Sequence, residues 1–180
     1  VRAADGVIDV LSFKDLPAQT DIGAVFDGEP LMVDEITEYV GQTLFLVVAT
    51  THRAAKKAVL KAVVEYEPLS SILSIDEALE QEQFVRPSHF MQRGDTEAAL
   101  ANAPMRIAGH IHMLGQEHFY LEGQVSYVVP CDDGGLEVYT SSQHPSEVQQ
   151  LVAEVTDLPF HAVNTVVRRM GGGFGGKETQ

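Results

Sequence analysis

Cysteine is nearly absent, with Cys131 the only one in 180 residues. No disulfide can close within the chain, no cysteine-ligated iron–sulfur cluster can be held by it, and such usage fits a reducing compartment such as the cytoplasm. Cys131 itself reads as a structural thiol in a loop. Positive charge is scarce: 12 Lys and Arg stand against 26 Asp and Glu, a formal net charge of −14. A surface of that sign repels phosphate backbones and anionic lipid, so nucleic acid is excluded as a partner. No apolar run approaches the roughly 18 residues that a membrane span requires, and no basic stretch followed by an apolar one opens the sequence as a secretory signal would. At 44% hydrophobic and 21% charged residues, what remains is the composition of a globular chain, long enough for one ordinary domain or for a small one and part of another.

Local signals predict a mixed α and β chain. Val7 to Phe13 has strand composition and is broken at Asp15-Leu-Pro17; a loop rich in glycine and acids follows. Thr43 to Ala49 is a continuous apolar run, which predicts a strand buried on both faces. Thr51 is placed to cap a helix from His52 to about Ala62, and Val63 to Tyr66 predicts a further strand. A short acidic helix is expected at Asp76 to Glu82 and another at Asp95 to Asn102, then strands at Met105 to Met113 and Gly123 to Val129. Asp132-Asp-Gly-Gly135 is a hairpin turn that returns Leu136 to Ser141 antiparallel. Pro145 suits the first turn of a helix reaching about Thr156, and a last strand spans Val163 to Arg169.

That strand runs into Gly171-Gly-Gly-Phe-Gly-Gly176. Glycine admits positive φ and lets backbone amides approach a ligand without an intervening Cβ, so successive amides here form a concavity suited to phosphate or to an oxo group on a metal. The loop is no P-loop, because Gly176-Lys177 is followed by Glu178, and neither dinucleotide spacing nor an FAD motif is present. Phe174, apolar between glycines, predicts a side chain anchored inward while its neighbours expose backbone. His110, His112 and His118 invite a metal reading, but no acid or cysteine gives the ligand spacing of a zinc site; they read as structural histidines, and Glu117 and Glu122 as structural acids.

Arg169-Met-Gly-Gly-Gly-Phe-Gly-Gly-Lys-Glu178 resembles, nearly residue for residue, the cofactor loop of the xanthine dehydrogenase and oxidase family. Gly115-Gln-Glu-His-Phe-Tyr-Leu-Glu122 and Thr140-Ser-Ser-Gln-His-Pro145 resemble two more of its motifs, in the family's order. Tyr39-Val-Gly-Gln42 and Val64-Glu-Tyr-Glu67 are similar to its α/β hammerhead domain. The resemblance implies an α+β (mixed α/β) fold with a hammerhead-like domain over 1–70, a connector over 71–84, and the start of a molybdopterin-binding domain over 85–180. It also implies that the chain is a piece of a larger subunit.

By the same resemblance, Gln143 donates towards an oxygen ligand of molybdenum, Phe174 and Gly175 lay backbone against the oxo group, and Glu178 orients the substrate; a carboxylate there favours a purine over an aldehyde. The implied reaction is hydroxylation of hypoxanthine or xanthine by water-derived oxygen. Its cofactors are molybdenum–molybdopterin here, with 2Fe-2S and FAD on partner domains or a partner subunit of an oligomer. No side chain of this stretch ligates the metal, and the general base is not among its residues, so the 180 residues alone are expected to be inactive. Two other readings stay open: a molybdenum hydroxylase of aldehyde oxidase-like specificity, and a non-catalytic module whose glycine loop binds phosphate.

Overall fold

The computed structural model describes residues 1–18, 20–23 and 27–178; part of the acidic, glycine-containing loop after Pro17 lies outside them. The fold is mixed α and β, as expected. Backbone contacts divide it into two units, residues 1–63 with 116–180, and residues 64–115.

In the first unit β1 (Val7–Leu11) pairs antiparallel with β2 (Leu46–Ala49), with an irregularity between Val7 and Asp9. Helix α1 (His52–Val59) follows β2 and carries the buried Ala58. Its cap is the one expected, the Thr51 hydroxyl accepting from the Ala54 amide at 3.1 Å. The helix stops short of Ala62 because the amides of Lys61 and Ala62 turn back to Ala58 and Val59, tightening the last turn. Residues along β2 alternate between exposed and half-buried rather than lying buried on both faces. A two-stranded ribbon with a helix on one side covers only that side.

The rest of this unit is a three-stranded sheet in the order β3-β4-β5. Strand β3 (Ser126–Pro130) pairs antiparallel with β4 (Leu136–Thr140) through the expected turn, in which the Cys131 amide donates to the Gly135 carbonyl at 2.8 Å and Gly134 takes φ +85°. Helix α4 (Pro145–Thr156) then crosses over to β5 (Val163–Val166), which runs parallel to β4. α4 begins at the expected proline and ends in a Schellman arrangement. Asp157 takes φ +56°, its amide donates to Glu154, and the Leu158 amide donates to Ala153. Val138, Ala153 and Val163 form the core between sheet and helix, flanked by Leu136, Val148, Val152 and Leu158.

The second unit contains α2 (Ile75–Glu80) and α3 (Thr96–Ala101). Each has a local cap: Ser74 and Glu77 form a capping box, and the Asp95 carboxylate accepts from the Ala98 amide at 2.9 Å. Two expected strands are not formed. Val63 to Tyr66 and Met105 to Met113 join no ladder among the described residues, and their side chains are largely exposed. The alternating apolar residues at 105, 107, 111 and 113 have the period of a strand, but a strand needs a neighbour to accept its backbone hydrogen bonds. Among the described residues, no helix is long and apolar enough to cross a membrane.

Candidate cofactor loop and its supports

Parallel strands β4 and β5 deliver their carboxyl ends side by side, and that end of a parallel pair is where ligands collect in α/β folds. From β4 the chain passes through Ser141, Ser142 and Gln143 into α4; from β5 it enters the glycine loop. Residues 118–124, which lead into antiparallel β3, reach the same end.

Gln143 closes the loop from one side. Its side-chain Oε1 accepts the Gly175 amide at 2.8 Å and the Lys177 amide at 3.3 Å, and its own amide donates to the Lys177 carbonyl at 2.8 Å. The Ser142 hydroxyl donates to that same carbonyl at 3.3 Å. Two N–H donors on one oxygen fix which way the Gln143 amide points, since the flipped form would set its NH2 against both. Nε2, with two hydrogens to give, is therefore turned away from the loop backbone and has no acceptor among the described residues.

Glu122 closes the other side. Its Oε2 accepts the Gly171 amide at 3.0 Å and the Lys177 ammonium at 2.9 Å, while its own amide donates to the Gly171 carbonyl at 3.1 Å. The Lys177 hydrogen bond, then that from Gly171, holds the Glu122 carboxyl below the usual carboxylate range. The Lys177 side chain is fully buried and its Nζ also lies over the Tyr120 ring, 4.7 Å from the centroid.

These supports explain the glycines. A Cβ on Gly171 would come within 2.5 Å of the Glu122 Cβ, one on Gly173 would overlap the Gln143 amide, and one on Gly176 would come within 2.8 Å of the Tyr120 ring and 2.9 Å of His118. Gly172 and Gly175 have φ of +103° and +90°, where a side chain is strained. The amides of Gly172, Gly173 and Phe174 have no acceptor among the described residues, so the loop presents backbone donors beside Gln143.

The structure brings Gln143, Phe174 and Gly175 together, with one difference from expectation. Phe174 is not anchored inward: at φ +56° its side chain points outward and is 75% exposed. The space beneath the loop is already filled by Gln143, Tyr120 and Glu122. The Gly175 amide is spent on Gln143. Glu178 follows the loop and is exposed. His110 and His112 are exposed, and Cys131 is a free, exposed thiol in the β3–β4 turn. His118 lies against the loop with Tyr120, their ring centroids 6.5 Å apart. The sequence placed Lys177 in the loop motif but did not join it to Tyr120 and Glu122 or set His118 beside the loop; the burial of a lysine between acid and aromatic partners shows only in three dimensions.

A mixed sheet thus carries a glycine loop at the carboxyl end of its last strand, held by Gln143 and by a buried lysine paired with the part-exposed Glu122, with backbone amides left open beside Gln143. Residues 79–180 match the molybdopterin cofactor-binding domain, and residues 1–70 match the a/b hammerhead domain of aldehyde oxidase and xanthine dehydrogenase. The chain belongs to the aldehyde oxidase and xanthine dehydrogenase family of molybdopterin-binding proteins. It is 40% identical to xanthine dehydrogenase of Emericella nidulans over 97% of its own length and 13% of that protein's. It is 37% identical to aldehyde oxidase 2 of Rattus norvegicus over 96% of the chain and 13% of the relative. The chain thus spans about an eighth of the curated relatives it matches. In fold it is similar to the aldehyde oxidoreductase from Desulfovibrio gigas, with a TM-score of 0.80 at 24% identity over 98% of this chain and 21% of that one.

Proposed function

We propose that the glycine loop and Gln143 hold the oxo-bearing end of a molybdenum–molybdopterin cofactor, in a protein that hydroxylates hypoxanthine or xanthine; the similarity to proteins named xanthine dehydrogenase supports the purine substrate. The observation that carries this is the orientation of Gln143. With Oε1 occupied by Gly175 and Lys177, its remaining donor, Nε2, and the amides of Gly172, Gly173 and Phe174 are left for an anionic oxygen. Neutral donors set in place beforehand stabilise charge on such a group with little reorganisation. The fit is to oxygen ligands and not to a metal ion directly: among the described residues no group of three histidine, cysteine or acid side chains could ligate one.

The cofactor, when bound, supplies an activated oxygen and a sink for electrons. The chain's own residues bind and orient. Gln143 donates from Nε2, Gly172, Gly173 and Phe174 donate from backbone, and the Gly175 amide keeps the Gln143 side chain from turning over. Glu178 accepts from ring N–H groups of a purine and so sets which carbon faces the loop. The general base lies elsewhere in the protein. The reading calls for 2Fe-2S and FAD on partner domains or a partner subunit of a cytoplasmic oligomer, which would supply the path for electrons to NAD+ or oxygen.

An aldehyde oxidase-like specificity is the second reading, supported by the similarity to aldehyde oxidase 2. Glu178 discriminates. In the natively isolated assembly, Glu178→Ala should lower kcat/KM for xanthine by about a hundredfold or more, the scale of a lost charge-assisted contact, with aldehyde turnover kept or raised. Unchanged xanthine turnover rejects Glu178 as a purine contact; aldehyde turnover without xanthine turnover in the wild type establishes the second reading.

A further inference from the structure

The Glu122–Lys177 ion pair is larger than a surface stitch. Its ammonium is fully buried, and its two residues grip the loop at opposite ends: Glu122 takes the Gly171 amide at the start, and the Lys177 backbone ties Gln143 at the finish. A lysine loses all its hydration at such a site, and only an opposite charge with good hydrogen bonding offsets that loss. The side chain of Lys177 thus fixes where its own backbone lies, and that backbone, through its amide and carbonyl, fixes Gln143.

We infer that Glu122 and Lys177 are positioning residues for the cofactor: the pair clamps both ends of the glycine loop and thereby sets the direction in which Gln143 presents Nε2. This rests on the cofactor reading above. Neither residue touches the ligand; the pair acts through Gln143 and the loop amides. Tyr120 completes the clamp, its ring roofing the ammonium and filling the space that a side chain on Gly176 would need.

The test is made on the natively isolated assembly, with Glu122→Gln and Lys177→Met, each close in shape to the residue it replaces. Three quantities are measured: hydrogen exchange at single amides, molybdenum content, and the electron paramagnetic resonance spectrum of the reduced molybdenum. Expected are exchange at Gly175 and Lys177 at least about tenfold faster, as befits a clamp opened by loss of an ion pair, and sheet amides of Val138 and Val166 unchanged. The resonance spectrum of retained molybdenum should shift, while a core variant, Val163→Ala, leaves it in place. Loop rates and spectrum both unchanged overturn the inference, and so do sheet amides that speed up equally, because the pair then holds the domain rather than the loop. Should one variant not fold, the other decides. A wild type that contains no molybdenum refutes the cofactor reading itself, and with it any positioning role; normal molybdenum with an unmoved loop refutes the clamp alone.

Discussion

Gln143 and Lys177 are joined in both directions: the Gln143 amide donates to the Lys177 carbonyl at 2.8 Å, and the Lys177 amide donates back to Gln143 Oε1 at 3.3 Å. The exchange resembles one rung of a β-ladder, except that one acceptor is a side chain. The rung therefore depends on what residue 143 is, which makes it open to mutation.

Gln143→Ala removes the acceptor for Gly175 and Lys177, whereas Gln143→Glu keeps it and loses the outward donor. In the alanine variant, amide exchange at both positions should rise roughly five- to tenfold, the equivalent of about 1 kcal/mol per hydrogen bond. The glutamate variant should keep wild-type exchange and still lose cofactor, because a carboxylate repels an anionic oxygen. Equal behaviour of the two variants in molybdenum content and in exchange contradicts the division of labour between Oε1 and Nε2.

Gly173→Ala should displace Gln143, since the new Cβ would overlap its amide. Gly134→Ala, in the β3–β4 turn, meets nothing within 4 Å and suffers only from its φ of +85°, a cost of about 1–2 kcal/mol. The expected contrast is loss of molybdenum with little change in melting temperature for Gly173→Ala, and the reverse for Gly134→Ala.

The depressed pKa of Glu122 sets a pH dependence. Its carboxylate contributes stability that is present above the unfolded value of 4.5, and that is lost as pH falls through the lower folded value. Loop protection at Gly171 should then persist below the ordinary carboxylate range and fade in stronger acid; in Glu122→Gln that fade should vanish. Asp15, Asp21 and Glu77 are lowered too, so the difference between variant and wild type carries the test. The charged neighbours of Glu122 are Lys177 and, around the cavity beside it, Arg168 and Arg169.

Val163→Ala probes the core that carries both loops. Val163 is fully buried against Val138 and Ala153, and the loss should be about 1.5–3 kcal/mol in denaturant unfolding. The spacing of β4 and β5 depends on this layer, so cofactor retention should fall with stability and not ahead of it.

What could be read from the sequence was local. Thr51, Asp95 and Pro145 mark helix starts, and Asp132 to Gly135 marks a turn, through chemistry spanning a few residues. The glycine loop was legible for the same reason, as was Gln143 through resemblance to a family motif. Its fastening was not legible, because Lys177 and Glu122 are 55 residues apart and no short-range pattern joins them. The unformed strand at Met105 to Met113 shows the same limit: its alternation is real, but pairing is decided by another segment. Phe174 misled because an aromatic among glycines implies an inward anchor only when the space below is empty.

The most direct measurement is molybdenum and pterin content of the natively isolated protein, wild type beside Gln143→Ala. The expected result is both molybdenum and pterin in the wild type, with molybdenum sharply reduced in the variant while the sheet stays folded. A wild type with neither contradicts the central claim and leaves a loop that binds some other anion.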